Sequence, residues 1–361
     1  MYYRIAEITL YSEVRLPSYE AFLCEETAPD ATLKRSDEIP PRGRDLPAGD
    51  GRVRRTEDGW FFHYPEQEQA GLLVSEDYTR LWLTGGEGAE ATVDEEWFVR
   101  FPLECLLARR GYISLHAACV ELNGEALAFS GPSGTGKSTR ARVWMEQFGA
   151  KLISGDRPLI RVKDPEVFGV PWDGKEQCFR NAHYPLRAVC DTRRSKSVRI
   201  RRMSFQQKRR LLLNQCFMPM WDTETAVIQM VNISRFAAGG EILRTFCGRK
   251  PEDAEVLKEW LDRREYLKEE RDMKVKDGFI LKNVVGDQIV MPTGENIAAF
   301  NGALLLNSVS AYVWEKLQNP VSREDLLAAV TDKFEVDEET AAKDLDALLE
   351  KLKGFGVIED E

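Results

Sequence analysis

Short apolar runs of the kind found in β-strands recur through the first hundred residues of the chain. They span residues 3–10, 59–64 and 71–74, and the polar, Pro- and Gly-rich stretch at 40–51 predicts a loop between them. Residues 1–98 are therefore predicted to form a β-rich region, which carries no chemical motif. From residue 97 to residue 110 the apolar positions recur about every 3.6 residues, a spacing that predicts a helix.

A hairpin followed by a glycine-rich segment stands near the middle of the chain. Apolar runs at 113–122 and 125–130 flank Asn123-Gly124, a dipeptide that favours a tight turn between antiparallel strands. The second run continues directly into the segment 131–139, and the pattern predicts a helix over 137–147. The sequence thus predicts strand, loop and helix in that order.

The loop between this strand and this helix matches the P-loop pattern in full. Its glycines let consecutive backbone N–H groups point at phosphate oxygens, where the helix also presents its positive end. Lys137 supplies a cation for the β- and γ-phosphates, and Ser138, supported by Thr139, offers a hydroxyl to Mg²⁺. The sequence therefore predicts that ATP and Mg²⁺ are bound by Gly131, Pro132, Ser133, Gly134, Thr135, Gly136, Lys137, Ser138 and Thr139.

An acidic residue follows the next predicted strand. Strand 151–154 ends at Gly155-Asp156, and strand ends beside a P-loop are where carboxylates hold Mg²⁺ or accept a proton. Asp156 is therefore predicted both as a catalytic residue and as a metal ligand. The alternative interpretation is a turn residue before Arg157-Pro158.

Three segments together resemble the catalytic domain of HPr serine kinases and their relatives. They are His116-Ala117-Ala118, the loop 131–139 and Lys151 to Asp156, and the resemblance covers roughly residues 100–265. It implies an ATP-dependent kinase for a Ser or Thr hydroxyl, with Lys137 and Ser138 at the ATP phosphates and Mg²⁺. It also implies a catalytic position for His116 beside the transferred phosphate, where the ring orients the phosphate or assists charge movement.

The chain departs from that family at one position. HPr kinases carry two adjacent acids where this sequence has Gly155-Asp156. Either Asp156 accepts the hydroxyl proton, or it binds the metal and another acid accepts the proton. Asp173 is the candidate for this supplementary acid and metal ligand, with a plain Asp-Gly turn as the alternative.

Composition narrows the classes of partner. The 361 residues carry 60 acidic and 50 basic side chains, which argues against a dedicated nucleic-acid binder. No stretch approaches the roughly 20 apolar residues that span a bilayer, so no membrane partner is expected. The first residues lack the apolar run of a signal peptide, and the seven cysteines form no CxxC pair. The expected location is therefore the cytoplasm, where thiols stay reduced.

A strongly basic stretch at 193–210 stands out in this acidic chain. It is interpreted as a solvated face or one paired with acids of another domain, with contact to ATP phosphates or to an acidic peptide as the second interpretation and nucleic acid as the third. No acidic residue interrupts its nine bases, which are Arg193, Arg194, Lys196, Arg199, Arg201, Arg202, Lys208, Arg209 and Arg210.

The last ninety residues are predicted to form a separate unit. Three short strands and then three helices, at the spacing seen here, describe a small winged-helix-like α+β domain. Residues 271–361 contain 18 acidic and 10 basic side chains, so a recognition helix in this domain would repel DNA phosphates. The charge therefore opposes a DNA-binding function.

Four segments of this unit resemble PqqD-like domains, which recognise precursor peptides. They are 288–291, 303–307, 311–314 and 325–357, and the resemblance covers 275–358. It implies that a leader peptide adds as a strand beside the third β-strand, in the groove against the third helix. The alternative is a domain that serves dimerisation or packing.

The sequence as a whole predicts an α/β protein with three parts. These are the β-rich region 1–98, an HPr-kinase-like P-loop domain at 99–270 and a PqqD-like domain at 271–361. The predicted function is Mg·ATP-dependent phosphorylation of a Ser or Thr in a ribosomally made precursor peptide. A kinase for a small hydroxylated metabolite and an ATP-hydrolysing binding or regulatory protein are the alternatives. The oligomeric state stays open, a homo-oligomer included.

Overall fold

The computed structural model of the protein separates into two units. It describes residues 1–38, 42–49, 51–66, 70–86, 88–172, 178, 180–195, 198–248, 250–263, 269–270, 272–284, 287–294 and 304–360. The first unit comprises Met1–Ile200 and Lys208–Tyr266, and the second comprises Arg201–Gln207 and Leu267–Glu361. Both contain helices and sheets, so the mixed α/β class is confirmed. The three-part division of the chain stays a prediction.

The N-terminal strands of the first unit form one sheet. Their order across the sheet is β1-β2-β3-β8-β7-β6-β5-β4, and a 3-10 helix at Pro17–Phe22 lies between β2 and β3 in the chain. The strands are β1 (Tyr2–Ile5), β2 (Ile8–Ser12), β3 (Ala31–Ser36), β4 (Asp45–Ala48), β5 (Gly51–Arg55), β6 (Gly59–His63), β7 (Gly71–Ser75) and β8 (Arg80–Thr84).

One strand occupies a stretch that the sequence predicts as loop. β4 pairs with β5 in antiparallel register, with Pro47 opposite Arg52. Proline has no N–H for a ladder, and it is tolerated here because β4 is the last strand of the sheet on that side. The loop prediction for 40–51 is therefore wrong over 45–48.

Helix α1 (Val93–Arg109) shares an apolar core with this sheet. It begins four residues before the predicted start because Thr92 and Glu95 form a capping box, in which each side chain bonds the backbone of the other. The ring of Phe101 stacks on that of Phe62 at 5.4 Å between centroids. This packing joins the N-terminal sheet to α1, and both belong to the first unit.

A second sheet and its helices come next along the chain, all in the first unit except Arg201–Gln207, which belong to the second. Its order is β12-β10-β11-β15-β14-β13-β9, and β17 pairs with β15. In chain order the elements are β9 (Tyr112–Ser114), β10 (Ala117–Leu122), β11 (Glu125–Ser130), α2 (Lys137–Phe148), β12 (Lys151–Ser154), β13 (Leu159–Arg161), β14 (Glu166–Phe168), β15 (His183–Arg194), β16 (Arg199–Met203), α3 (Phe205–Gln215), α4 (Thr223–Gly239), β17 (Ile242–Cys247) and α5 (Glu252–Arg263).

The register of this sheet brings four strand ends to one edge. β11 runs parallel to β15, with Ser130 opposite Asp191. β10 is antiparallel to β11, with Ala117 opposite Ser130, and antiparallel to β12, with Cys119 opposite Ser154. The carboxyl ends of β11, β12 and β15 therefore meet the start of β10.

The second unit contains two small sheets and three of the described helices. β20, β21 and β22 form an antiparallel sheet in that order, and β19 lies between β23 and β24 in the other. The elements are β18 (Glu269–Glu270), β19 (Asp272–Val275), β20 (Phe279–Val284), β21 (Asp287–Pro292), β22 (Leu304–Leu306), α6 (Ser308–Lys316), β23 (Val321–Ser322), α7 (Arg323–Lys333), α8 (Glu338–Gly354) and β24 (Ile358–Asp360).

The helices of the second unit begin where the sequence places capping side chains. Asn307, Ser322 and Asp337 each accept a hydrogen bond from a backbone N–H three residues later. An apolar core joins the three helices to both sheets. The predicted succession of three strands and three helices is present, and the sheet around β19 is an addition to it. Across the described part of both units, no helix is long and apolar enough to cross a membrane.

Candidate functional sites

The loop between β11 and α2, residues 131–136, is called the glycine-rich loop. Gly131, Gly134 and Gly136 have φ angles of 133°, 77° and 99°, which L side chains rarely adopt. Gly131 is also tightly packed, because an added Cβ would lie 3.1 Å from the carbonyl oxygen of Thr192 and 3.2 Å from Oδ1 of Asp191. The loop conformation therefore requires glycine at these positions.

Lys137 folds back across the glycine-rich loop. Its Nζ donates hydrogen bonds to the carbonyl oxygens of Gly131 at 3.1 Å and Pro132 at 3.3 Å. Arg140 is the first residue of α2 whose N–H bonds back to the loop, at 2.9 Å to the oxygen of Gly136. The N–H groups of 137–139 precede it and have no intrahelical acceptor. This first turn therefore offers amides and an ammonium group to an anion.

The other residues predicted for the nucleotide lie around the same turn. Pro132, Ser133, Ser138 and Thr139 are exposed. The hydroxyl of Thr135 donates to the carbonyl oxygen of Pro132 at 2.9 Å, which tightens the loop. The Ser138 hydroxyl is therefore accessible beside the helix start.

His116 and Asp156 meet at the sheet edge beside the loop. The distance from Nε2 of His116 to Oδ1 of Asp156 is 3.4 Å. Backbone bonds fix both residues: the N–H of Ala117 donates to the oxygen of Asp156 at 2.7 Å, and the Ser130 hydroxyl donates to the oxygen of His116 at 2.9 Å. Ser130 immediately precedes Gly131, so the pair is tied to the start of the loop.

Lys137 acts electrostatically on both members of this pair. Burial and the Lys137 ammonium lower the pKa of His116 below its usual value, against the opposing effect of Asp156. Burial also lowers the pKa of Lys137, again against Asp156. Arg157 lowers the pKa of His116 and of Lys137. His116 is therefore a neutral imidazole at pH 7, able to accept or share a proton.

Asp191 is a buried acid that the sequence analysis missed. It lies opposite Ser130 at the end of β15, and its Oδ2 accepts hydrogen bonds from Nη2 of Arg193 and from Nε of Arg244, both at 3.0 Å. Its Oδ1 faces Gly131 and has no hydrogen-bond partner in the described part of the chain. The signal in the sequence is an acid after the apolar run 188–190, with Thr192 and then Arg193 and Arg194 following it.

The basic stretch contributes to the site only at its start. Arg194 donates a hydrogen bond to the carbonyl oxygen of Gly134, and Arg193 is held by Asp191. Further along, Arg199 lies over the ring of Phe246 at 5.0 Å, and Lys208 donates to the oxygen of Gly240 at 3.1 Å. The interpretation of the stretch as a solvated face stays a prediction. Lys196 lies outside the described residues.

The groups around the loop fit a magnesium nucleotide. Amides, an ammonium and arginines suit phosphate oxygens, and the oxygens of Ser138 and Asp156 suit Mg²⁺. Within the described ranges, His, Cys, Asp and Glu form no group of three that could hold a metal. A Mg²⁺ ion here would therefore take its other ligands from phosphate and water, as this ion commonly does. The prediction for Asp173 falls outside the described residues.

A second candidate site lies on the second unit, along β22. β22 is the last strand of its sheet and pairs only with β21 in the described structure, through Leu304, Leu305 and Leu306. Its other edge leaves backbone groups available to a further strand. A cavity of about 770 Å³ is lined by residues of β21, of β22 and of the three described helices of the unit.

Residues 289–358 match the family model of Coenzyme PQQ synthesis protein D (PqqD). The C-terminal part of the chain is a PqqD domain. The match spans most of β21, the strand β22 with its open edge, the helices α6, α7 and α8, and the start of β24. The part of the predicted resemblance that concerns this domain is thereby confirmed, and the resemblance of the preceding region to HPr kinases stays a prediction.

A solved structure also matches the chain over a short part of its length. It is "TbiB1 in Complex with the TbiA(beta) Leader Peptide", with 19% sequence identity and a TM-score of 0.21. The match covers 24% of this chain and 94% of that one. No curated protein shows a significant match.

Proposed function

We propose that this protein is a Mg·ATP-dependent kinase that phosphorylates a Ser or Thr hydroxyl of a ribosomally made precursor peptide, whose leader the PqqD domain holds. The observation that carries the proposal is the convergence of three groups at one sheet edge. Lys137 lies across the glycine-rich loop, and the contact between His116 and Asp156 lies beside it. The match to the PqqD model supports a peptide as the substrate.

Bound Mg·ATP supplies the phosphoryl group: its bond to the leaving ADP oxygen breaks as a bond to the substrate hydroxyl oxygen forms. The amides of 136–139 and the Lys137 ammonium hold the β- and γ-phosphates and stabilise their charge. Ser138 provides a hydroxyl oxygen for the metal. Arg157 adds a further positive charge beside these groups.

Asp156 is the proposed acceptor of the hydroxyl proton. Its carboxylate lies 3.4 Å from Nε2 of His116. Because burial and Lys137 keep the pKa of His116 low, the ring is neutral at pH 7 and orients the carboxylate without neutralising it. With one acid in place of the adjacent pair of HPr kinases, His116 takes over part of the positioning.

The PqqD domain holds the leader by strand addition. The free edge of β22 offers N–H and C=O groups to an extended peptide, and the adjoining cavity accepts its alternate side chains. A peptide held in this way has a raised effective concentration at the catalytic site. We therefore assign leader binding to the PqqD domain and phosphoryl transfer to the residues around the glycine-rich loop.

Transfer of label from ATP tests this function. The full chain is incubated with Mg²⁺, [γ-³²P]ATP, peptides translated from short reading frames near its gene and a pool of small hydroxylated metabolites, with Lys137→Ala as the inactive variant. Lys151→Ala is the matched control, because Lys151 is an exposed lysine on the neighbouring strand β12. Label on the peptide that depends on Lys137 supports the proposal. Label only on a small metabolite, or only in free phosphate, contradicts it.

A further inference from the structure

The cavity beside β22 is bordered by lysines, although the domain around it is acidic. Residues 271–361 hold 18 acidic and 10 basic side chains, yet Lys333 and Lys351 line the cavity. Glu315 is the one acidic residue among its described lining residues. At physiological salt, charges are screened over about 8 Å, so these lysines determine the local potential more than distant acids do.

The ring of Tyr312, which lines this cavity, holds two ammonium groups, and one of them belongs to the lining residue Lys333. Nζ of Lys333 lies 3.9 Å from the centroid of the Tyr312 ring, and Nζ of Lys316 lies 5.1 Å from the same centroid. The ring is itself fixed by an edge-to-face contact with Phe334 at 5.7 Å. Cations over an aromatic face are attracted by its quadrupole, which limits their motion. The positive charge is therefore held at the cavity.

These lysines have no acidic partner in the described part of the domain. No carboxylate there lies within 4.0 Å of Nζ of Lys316, Lys333 or Lys351. Arg323 of the same domain, by contrast, is paired with Asp346 and Glu324. Positive charges that face no carboxylate among the described residues, in a domain rich in acids, suit a negatively charged ligand.

The same cavity is lined in part by β22, whose other edge carries no strand in the described structure. Leu305 lines it and is 61% exposed, whereas Leu304 and Leu306 on either side are buried. A peptide strand added here would place every second side chain toward the cavity that Leu305, Lys333 and Lys351 line. The site therefore offers an apolar contact, backbone hydrogen bonds and a positive charge to one short peptide strand.

We infer that the peptide bound at β22 carries an Asp or Glu close to its strand-forming apolar residues, and that this carboxylate pairs with Lys333 and Lys351. The inference rests on the proposed leader-binding function and specifies its ligand. The rest of such a peptide has few acids, because the domain repels negative charge elsewhere.

Selection from a library of random 12-residue peptides displayed on their own mRNA tests the inference. The library is selected against the full-length protein, against the double variant Lys333→Glu/Lys351→Glu, and against Lys343→Glu. Lys343 is an exposed lysine on α8, the helix that carries Lys351, and it does not line the cavity. Circular dichroism and thermal unfolding check that the variants are folded.

We expect the wild-type protein and Lys343→Glu to enrich peptides with an acid at a fixed spacing from apolar residues. The double variant is expected to enrich Lys or Arg at that position instead. It should bind the best acidic peptide roughly tenfold more weakly, with a smaller loss of affinity on adding salt. Enriched peptides without an acidic preference overturn this inference alone. If no peptide is enriched, both the inference and the proposed leader-binding function are wrong.

Discussion

Nε2 of His116 lies 3.4 Å from Oδ1 of Asp156, although the hairpin, the glycine-rich loop and helix α2 separate the two residues in sequence. The contact exists because β10 lies between β11 and β12, so that the start of one strand meets the ends of its two neighbours. This arrangement brings an imidazole, a carboxylate and the start of α2 to one edge, and the proposed phosphoryl transfer depends on it.

The pKa of His116 is expected to lie below 6.5 in the folded protein, because the ring is partly buried and close to the Lys137 ammonium. Lys137→Met removes that charge and should raise the pKa of His116. Imidazole resonances followed by NMR against pH measure both values, and His116→Gln identifies the signal. A pKa at or above 6.5 that Lys137→Met leaves unchanged would contradict the described geometry.

The lowered pKa of His116 also makes the stability of the folded protein depend on pH. As the pH falls, His116 binds a proton near pH 6.5 in the unfolded chain but only at lower pH in the folded protein. Protonation of His116 therefore favours the unfolded chain and lowers the stability of the folded state as the pH falls below about 6.5. His116→Gln cannot bind that proton and should lose less stability than the wild type between pH 7 and pH 5. Urea unfolding at several pH values measures the difference, and parallel curves for the two proteins would speak against it.

Lys137→Ala is expected to lower kcat for phosphorylation by about 100-fold or more, because a charged donor to the transferring phosphate is lost. Lys151→Ala, on the exposed side of β12, should change kcat by less than about twofold. Initial rates at saturating ATP give both values. Equal rates for the two variants would show that Lys137 does not contribute to catalysis.

Asp191→Asn is expected to lower the free energy of unfolding by about 3–5 kcal/mol, because it removes a buried negative charge to which Arg193 and Arg244 both donate. Asp262→Asn is the control: Asp262 pairs with Lys258 on exposed α5, and its loss should cost less than about 0.5 kcal/mol. Urea denaturation of each variant measures these differences. Similar midpoints for both variants would mean that Asp191 does not hold the end of β15 in place.

Strand addition at β22 predicts an alternating effect of backbone methylation on peptide binding. The methyl groups are placed on backbone amides of a peptide selected by display. On the peptide amides that face β22 they remove hydrogen bonds to the strand and should abolish binding. Methyl groups on the intervening amides, which point away, should be tolerated. Fluorescence anisotropy with a labelled peptide compares the two series. Equal losses in both would show that the peptide binds through side chains or in another conformation.

The sequence predicts the local features of the candidate site well. The turn at Asn123-Gly124, the loop 131–136 and the start of α2 depend on neighbouring residues, and the structure has them where the pattern places them. Asp191 shows the limit of this reasoning. Its role arises from the parallel pairing of β15 with β11 and β17, between segments far apart in the chain. Nothing in its immediate sequence specifies which strands become its neighbours.

The difference between local features and long-range strand pairing also applies to the rest of the fold. The helices of the PqqD domain begin at side chains that cap them locally, and the pattern predicts all three. β4 and the sheet around β19 were not predicted, because each short strand is stabilised by its partner rather than by its own composition. Long-range pairing, not local preference, decides these elements.

The central claim is that the glycine-rich loop and Lys137 bind a nucleotide beside Asp156. A crystal structure of the full chain with Mg²⁺ and a non-hydrolysable ATP analogue tests it most directly. The account predicts the β- and γ-phosphates on the amides of 136–139 and on Nζ of Lys137, with Mg²⁺ bound by the Ser138 hydroxyl and Asp156 facing it. A nucleotide bound elsewhere, or an Asp156 side chain turned away from the phosphates, would contradict the account.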